Sequence, residues 1–209
     1  MSNDKALSWS FTEDSATESP IAAGARAAAV EIGVTPLSPA TIAFIKTIAT
    51  AIGAKNVAEV GTGTGVSGLA FLETSPDVAL TTIDTDTEAQ ASAAQSFGAA
   101  GIRTGRHRII NGRSADLLPR LAGATYDMVL LDGDPLETPG DVAEAHRILR
   151  KGGVLVVAHA LAGDRVGDPA RRDDVTVSMR NLVKETIEAG EFVSSLVPLG
   201  DGLLIGVKA

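Results

Sequence analysis

The chain contains no cysteine, which removes disulfides, thiolate metal sites and a cysteine nucleophile together and suits a reducing, cytoplasmic setting. Aromatic residues are scarce, at 3%, so burial has to be carried by Ala, Val, Leu and Ile. Basic side chains number 18 against 26 acidic ones, for a net charge of −8. A surface that neutralises phosphates needs the opposite balance, so a nucleic-acid partner is not expected. The one basic cluster, Arg103, Arg106, His107 and Arg108, is short and reads as a solvated loop at a strand entry rather than an anion or RNA site. No apolar run approaches the roughly 20 residues of a membrane span. Residues 1–20 are too polar for a signal peptide, so no membrane partner is expected either.

The remaining composition is that of a folded protein. Hydrophobic residues make up 44% of 209, enough for one core, and the length suits a single domain. Within it, residues 1–35 read as an N-terminal extension and helix and residues 36–209 as the core that carries the binding motifs. Residues 1–19 are polar without an apolar period and are expected to be mobile or loosely docked. Ser19-Pro20 and Ser38-Pro39 each look like a cap followed by a first-turn proline, predicting helices over Pro20–Ile32 and from Pro39 to just before Gly53.

From Asn56 onward short apolar runs alternate with helical stretches. Strands are predicted at Val57–Val60, Ala79–Ile83, Arg108–Ile110, Met128–Leu131 and Val154–Ala158, with helices near 65–74, 87–100, 114–121 and 140–150. Runs such as Met128 to Leu131 are apolar without alternation, as strands covered on both faces should be. A polar loop at 162–174 and a helix near 175–189 precede two further runs, Phe192–Val197 and Leu203–Val207. The short turn between those runs cannot make a parallel crossover, which needs a dozen or more residues. The expectation is a doubly wound α/β fold with a mostly parallel seven-stranded sheet and a C-terminal antiparallel hairpin.

The chemistry gathers at Glu59-Val60-Gly61-Thr62-Gly63-Thr64-Gly65, where glycines follow a strand and open a helix, so that backbone can approach a ligand. Taken alone the turn is ambiguous, because Gly63 to Gly68 also spells the GxGxxG dinucleotide fingerprint. Asp84, at the end of the next predicted strand and followed by Thr85, can accept hydrogen bonds from ribose hydroxyls of either cofactor type; its bland reading is a helix cap, for which Asp86 is better placed. Glu59, Asp84 and Asp132 all fall near carboxyl ends of predicted strands. Such a crevice would repel a pyrophosphate and attract the sulfonium and ammonium of S-adenosylmethionine.

On these residues the sequence resembles the class I O-methyltransferases that include catechol and caffeoyl-CoA methyltransferases, enzymes with a Rossmann-like fold that use S-adenosylmethionine. The resemblance spans roughly residues 34–209 and rests on Glu59 to Ser67, Thr82-Ile83-Asp84, Asn111 to Pro119, Tyr126 to Asp134, Leu149 to Gly153, Val175 to Arg180 and Leu196 to Gly202. It implies that Glu59 and Ser67 hold the methionine end of the cofactor, that Gly61 and Thr62 lie beneath it, that Asp84 with Thr85 takes the ribose, and that Ser114 faces the adenine. Leu37 and Asp132 would complete the cofactor contacts. Plainer readings also exist: Ser67 and Ser114 as helix caps, Leu37 as core. A homodimer and a small hydroxylated acceptor are implied as well.

Two departures bear on mechanism. In metal-dependent members the fifth strand ends in Asp-Asn, both at the cation site, and a lysine follows the first metal aspartate by three residues; here the matching residues are Ala158-His159 and Pro135. The resemblance therefore carries no metal-ligand set over to this chain, and a hard cation is poorly served by Asp132 with an imidazole. His159 and Asp132 are the candidate catalytic residues, with His159 as general base, since an ordinary imidazole titrates near pH ~6.5. His159 as pocket wall or metal ligand, and Asp134 as the base, are the competing assignments. Two other functions remain open: a cofactor-binding protein without transferase activity, and a small NAD-type oxidoreductase.

Overall fold

The computed structural model describes residues 3–209. Its centre is a seven-stranded sheet in the order β3-β2-β1-β4-β5-β7-β6, with β1 at Asn56–Val60, β2 at Ala79–Asp84, β3 at His107–Asn111, β4 at Tyr126–Leu131, β5 at Leu149–Val157, β6 at Phe192–Val197 and β7 at Leu203–Lys208. The first five pair in parallel, and β7 runs antiparallel between β5 and β6. This is the doubly wound sheet with a terminal hairpin that the apolar runs predict. The chain leaves β1 toward β2 on one side and returns to β4 on the other, so the carboxyl ends of β1 and β4 flank the switch point where α/β sheets bind ligands.

Consecutive strand residues face opposite sides. Val57, Met128, Leu130, Val154 and Val156 pack with the helices α2 (Pro20–Glu31), α3 (Pro39–Ala51), α4 (Val66–Leu72) and α5 (Thr87–Ala99). Ala58, Val60, Val129, Leu131, Leu155 and Val157 pack on the other face, under α7 (Thr138–Ile148) and α8 (Asp174–Ala189). The unbroken apolar runs follow from this double coverage. The short α6 (Ser114–Leu117) lies between β3 and β4.

Three local expectations differ from the structure. First, the polar N-terminus forms a helix, α1 (Asn3–Ser15), where a mobile or loosely docked segment is predicted; residues 1 and 2 lie outside the described residues. An apolar stripe does not anchor α1. Instead the Glu13 carboxylate accepts from Ser38 Oγ at 2.8 Å and from the backbone N–H of Ala40 at 2.9 Å, satisfying an orphan donor in the first turn of α3. Second, the basic cluster is solvated only in part: Arg103 and Arg108 are exposed, whereas Arg106 is held. The Arg106 guanidinium donates to the carbonyls of Val78 at 3.0 Å and Leu72 at 2.8 Å and to that of Ser75, pinning the α4–β2 connection. Third, β5 begins at Leu149 rather than Val154, because Tyr126 pairs with Leu149 across an irregular register before regular pairing starts at Met128 and Val154.

The polar 162–174 segment is likewise held: Arg180 of α8 donates to the carbonyls of Val166 at 2.8 Å and Asp168 at 2.7 Å. No helix among the described residues is long and apolar enough to cross a membrane.

Candidate functional site

The turn after β1 is left-handed at each glycine, with φ of +94° at Gly61, +48° at Gly63 and +90° at Gly65. Gly61 is required twice over, because a β-carbon there would also collide with the carbonyl oxygen of Asp132 on the neighbouring strand end. At Gly65 a β-carbon would meet Phe97 at 2.9 Å and Ala93 at 3.1 Å, so the turn also lets α5 close against α4. Thus the glycines bring the ends of β1 and β4 and the start of α4 together around one opening.

That opening has two chambers. One, of about 230 Å³, is lined by residues 34–37, the glycine turn, Ser67, Asp84, Asp132, Gly133 and His159. The other, of about 390 Å³, continues from Gly61, Asp84, Asp132 and Gly133 to Thr85, Gly112, Ser114 and Glu137. The second falls within, and the first just below, the roughly 300–1,000 Å³ of small-molecule cavities, which occur at α/β switch points. Leu37, Gly61, Thr62, Ser67, Asp84, Thr85, Ser114 and Asp132 all line one or both chambers. Leu37 is both core and wall.

Glu59 stands apart from the other sequence candidates, because it lines neither chamber. It is fully buried beneath the floor, where its carboxylate accepts from Ser67 Oγ at 2.5 Å and Thr82 Oγ1 at 2.6 Å. Thr82 and Thr62 share a further hydrogen bond of 2.8 Å. Burial pushes the Glu59 carboxyl up to about 7, against the lowering effect of those hydroxyls. Ser67 is therefore an arm of Glu59, and caps no helix; α4 starts behind Gly65 with no side-chain cap.

Asp84 accepts from the N–H of Gly63 at 2.9 Å through one oxygen and from that of Asp86 at 3.0 Å through the other. It fixes the glycine turn while facing both chambers. Asp86 caps α5, accepting from Glu88 N and Ala89 N. Ser114 donates to Glu137 at 3.1 Å, and Glu137 also pairs with Arg113, so α7 contributes a wall to the larger chamber that the sequence motifs do not announce. Asp134 starts a turn, accepting from Leu136 N at 2.8 Å.

His159 follows β5 in the left-handed region, with φ +54°, rare for a non-glycine residue. Its ring lies between two carboxylates: Nε2 is 3.2 Å from Asp132 and Nδ1 is 3.2 Å from Asp201. Asp132 foremost, then Asp201, push the imidazole up to about 9 against the effect of burial. At neutral pH the ring is therefore protonated and has no free lone pair, so the geometry does not offer the resting base that an ordinary histidine would. Burial raises the Asp132 carboxyl, with His159 acting in the other direction. Of three acids expected to make the crevice anionic, one lies under the floor and one is paired with a cation; the half-buried Asp84 supplies the negative edge that faces the chambers.

Asp201 escaped the sequence reading because Gly200-Asp201-Gly202 looks like an ordinary hairpin turn. Only the antiparallel insertion of β7 beside β5 brings it to His159.

Comparison with known proteins agrees with this architecture. The family model for O-methyltransferases matches residues 12–209. A probable O-methyltransferase of Mycobacterium tuberculosis is 45% identical over 201 residues, covering 96% of this chain and 90% of its own, and a putative O-methyltransferase of Mycobacterium ulcerans is 46% identical over 197 residues, covering 94% and 88%. A crystal structure of a Corynebacterium glutamicum protein superposes with a TM-score of 0.91 at 28% identity, covering 99% of this chain and 98% of that one. The O-methyltransferase TomG of Streptomyces achromogenes, solved with S-adenosylmethionine, has the same fold, with a TM-score of 0.88 at 22% identity and coverage of 100% and 99%. With a family match across nearly its whole length and relatives well above 30% identity, the chain belongs to the O-methyltransferase family.

Proposed function

We propose that the protein transfers the methyl group of S-adenosylmethionine to a hydroxyl oxygen of a small molecule, with both held in the cleft at the β1–β4 switch point. The observation that carries this reading is the continuity of the two chambers through Gly61, Asp84, Asp132 and Gly133. This gives an extended nucleoside-sized slot with a carboxylate at its midpoint, residues 34–37 at one end and Ser114 with the paired Arg113 and Glu137 at the other.

The residues fit such a cofactor. Asp84, at the junction of the chambers, would accept from the ribose hydroxyls, with Thr85 beside it. Ser114 and the wall it shares with Glu137 would face the adenine. Gly61, Thr62 and Ser67 would bound the methionine end with Leu37 across from them, and Glu59 would support that end from beneath by fixing Ser67. Bound there, S-adenosylmethionine supplies an electrophilic methyl group that an oxygen nucleophile takes in one displacement.

Catalysis by the chain is then largely positioning. His159 stands where the chamber meets a smaller cavity of about 190 Å³ between residues 35–41 and the 199–203 turn, with Asp132 on the chamber side of the ring and Asp201 on the cavity side; we assign this cavity to the acceptor. A hydroxyl placed at the junction of the two lies beside a positive imidazolium, which favours its ionisation, and we assign the proton to Asp132 on the chamber side, Asp201 being the carboxylate on the cavity side.

We also place the protein in the cytoplasm, in keeping with its lack of cysteine, and as a homodimer. The exposed Leu7 and Phe11, one turn apart on α1 at 62% and 75% accessibility, support self-association through that helix. Incubation with S-adenosylmethionine and a panel of phenols and catechols tests the activity. A methylated product detected by mass spectrometry is expected; cofactor binding without product from any acceptor would favour a binding protein instead.

A further inference from the structure

The His159 side chain is built into the cleft in a way that an incidental wall residue would not be. Its backbone adopts the left-handed conformation, at φ +54°, a cost that the surroundings must offset. Each ring nitrogen meets a different carboxylate, at 3.2 Å to Asp132 and 3.2 Å to Asp201. Ionised carboxylates only accept, so a ring that satisfies both must donate from both nitrogens, which only the doubly protonated imidazole can do.

Asp201 is itself immobilised. Its second oxygen accepts from the N–H of Gly163 at 2.7 Å. Its backbone carbonyl accepts from Leu161 N at 2.9 Å, and the carbonyl of Gly202 accepts from Ala160 N at 3.0 Å. The β6–β7 turn is thereby stitched to the segment that carries His159.

The same arrangement does not suit a divalent cation. The neighbouring residue, Ala158, presents a methyl group, and Asp132 and Asp201 lie off opposite nitrogens of one ring, so they do not converge on a common point. Among the described residues no group of three His, Asp or Glu side chains has a geometry that holds a metal. Hard cations require several converging oxygens.

We propose that His159, clamped by Asp132 and Asp201, is the protein's own fixed cation at the acceptor end of the cleft, replacing a divalent ion, and that Asp201 is the positioning residue that keeps it there. The role assigned to the cation rests on the methyltransferase reading above; the clamp and the closed metal site do not. A metal ion can be chelated by two adjacent hydroxyls, whereas an imidazolium offers only its charge and directed N–H groups. The acceptor therefore needs a single acidic hydroxyl, of the phenol class, and no vicinal pair.

Three proteins test this: wild type, Asp201→Asn, and the double variant Ala158→Asp with His159→Asn, which restores oxygen ligands beside Asp132. Manganese binding is read by electron paramagnetic resonance, the His159 ring by nitrogen-15 chemical shifts at pH 8, and S-adenosylhomocysteine affinity by calorimetry. Wild type is expected to bind no stoichiometric Mn²⁺ and to show both His159 nitrogens protonated. Asp201→Asn, which leaves Asp132 on Nε2 but removes one of the two anions, should show a smaller doubly protonated fraction at that pH and lose at least tenfold in kcat while keeping its affinity for S-adenosylhomocysteine, and the double variant should gain one Mn²⁺ site. Stoichiometric Mn²⁺ on wild type, or an unchanged nitrogen signature and kcat in Asp201→Asn, would overturn the proposal. Should the double variant fail to fold, the Asp201→Asn comparison still decides. Failure of wild type to bind S-adenosylhomocysteine would count against the methyltransferase reading and leave the nitrogen and Mn²⁺ results to judge the clamp.

Discussion

Replacing Glu59 by Gln should make the protein's stability less sensitive to pH, by an amount the structure specifies. The Glu59 carboxyl is fully buried and its pKa is pushed up from 4.5 to about 7, chiefly by desolvation. An acid whose pKa is higher in the folded chain binds more protons there than in the unfolded chain between those two values. Stability therefore falls as pH rises from about 4.5 to about 7, and the full loss is in place above that. At about 1.4 kcal/mol for each pH unit separating the two values, ionised Glu59 costs the fold roughly 3 kcal/mol at pH 8. Gln keeps the shape and one acceptor but never ionises; one of the Ser67 and Thr82 hydroxyls turns to accept from the new amide. Urea unfolding of both proteins at pH 5 and pH 8 gives the difference directly, and the other titrating groups, His159 and Asp141 among them, cancel in it. Part of that cost is already present at pH 5, so the difference should move in favour of Glu59→Gln by about 2 kcal/mol between the two pH values. Parallel curves, with the same difference at both, would refute the argument that burial governs this carboxyl.

Other substitutions probe separate parts of the fold and cleft. Arg106→Ala removes a guanidinium that bonds three carbonyls and should destabilise the protein by roughly 2–4 kcal/mol in urea; an unchanged midpoint would restore the solvated-loop reading. Gly61→Ala, forced into φ +94° against the Asp132 carbonyl, should cost about 1–3 kcal/mol or more and abolish binding of S-adenosylhomocysteine, which calorimetry would show. Asp84→Asn should weaken that ligand by about tenfold or more, the worth of charged hydrogen bonds at ~1.5–3 kcal/mol, and should also lower the melting temperature, because one of the N–H groups of Gly63 and Asp86 loses its acceptor; equal affinity would remove Asp84 as the ribose partner.

The sheet was legible because its signals are local. Runs such as Val154 to Val157 record double coverage residue by residue, and the five-residue turn between Val197 and Leu203 permits only an antiparallel partner. The glycine turn was legible for the same reason, since each left-handed position carries a glycine. What could not be read from the sequence depends on contacts between distant segments. Glu13 anchors α1 through one carboxylate on α3, which leaves no apolar period behind. Arg106 spends its charge on backbone carbonyls 28 to 34 residues earlier in the chain, and a basic cluster looks the same whether solvated or clamped. Glu59 sits on the α4 side of the sheet, beneath Ser67, because strand alternation sends it there with Val57. The second carboxylate on the His159 ring comes from Asp201, 42 residues away, and the sequence offers only a hairpin glycine pair to mark it.

Titration calorimetry of the wild-type protein with S-adenosylhomocysteine, with NAD as the comparison, tests the central claim most directly. The cleft described here predicts saturable one-to-one binding of S-adenosylhomocysteine and none of NAD; heat from NAD alone, or from neither ligand, would contradict it.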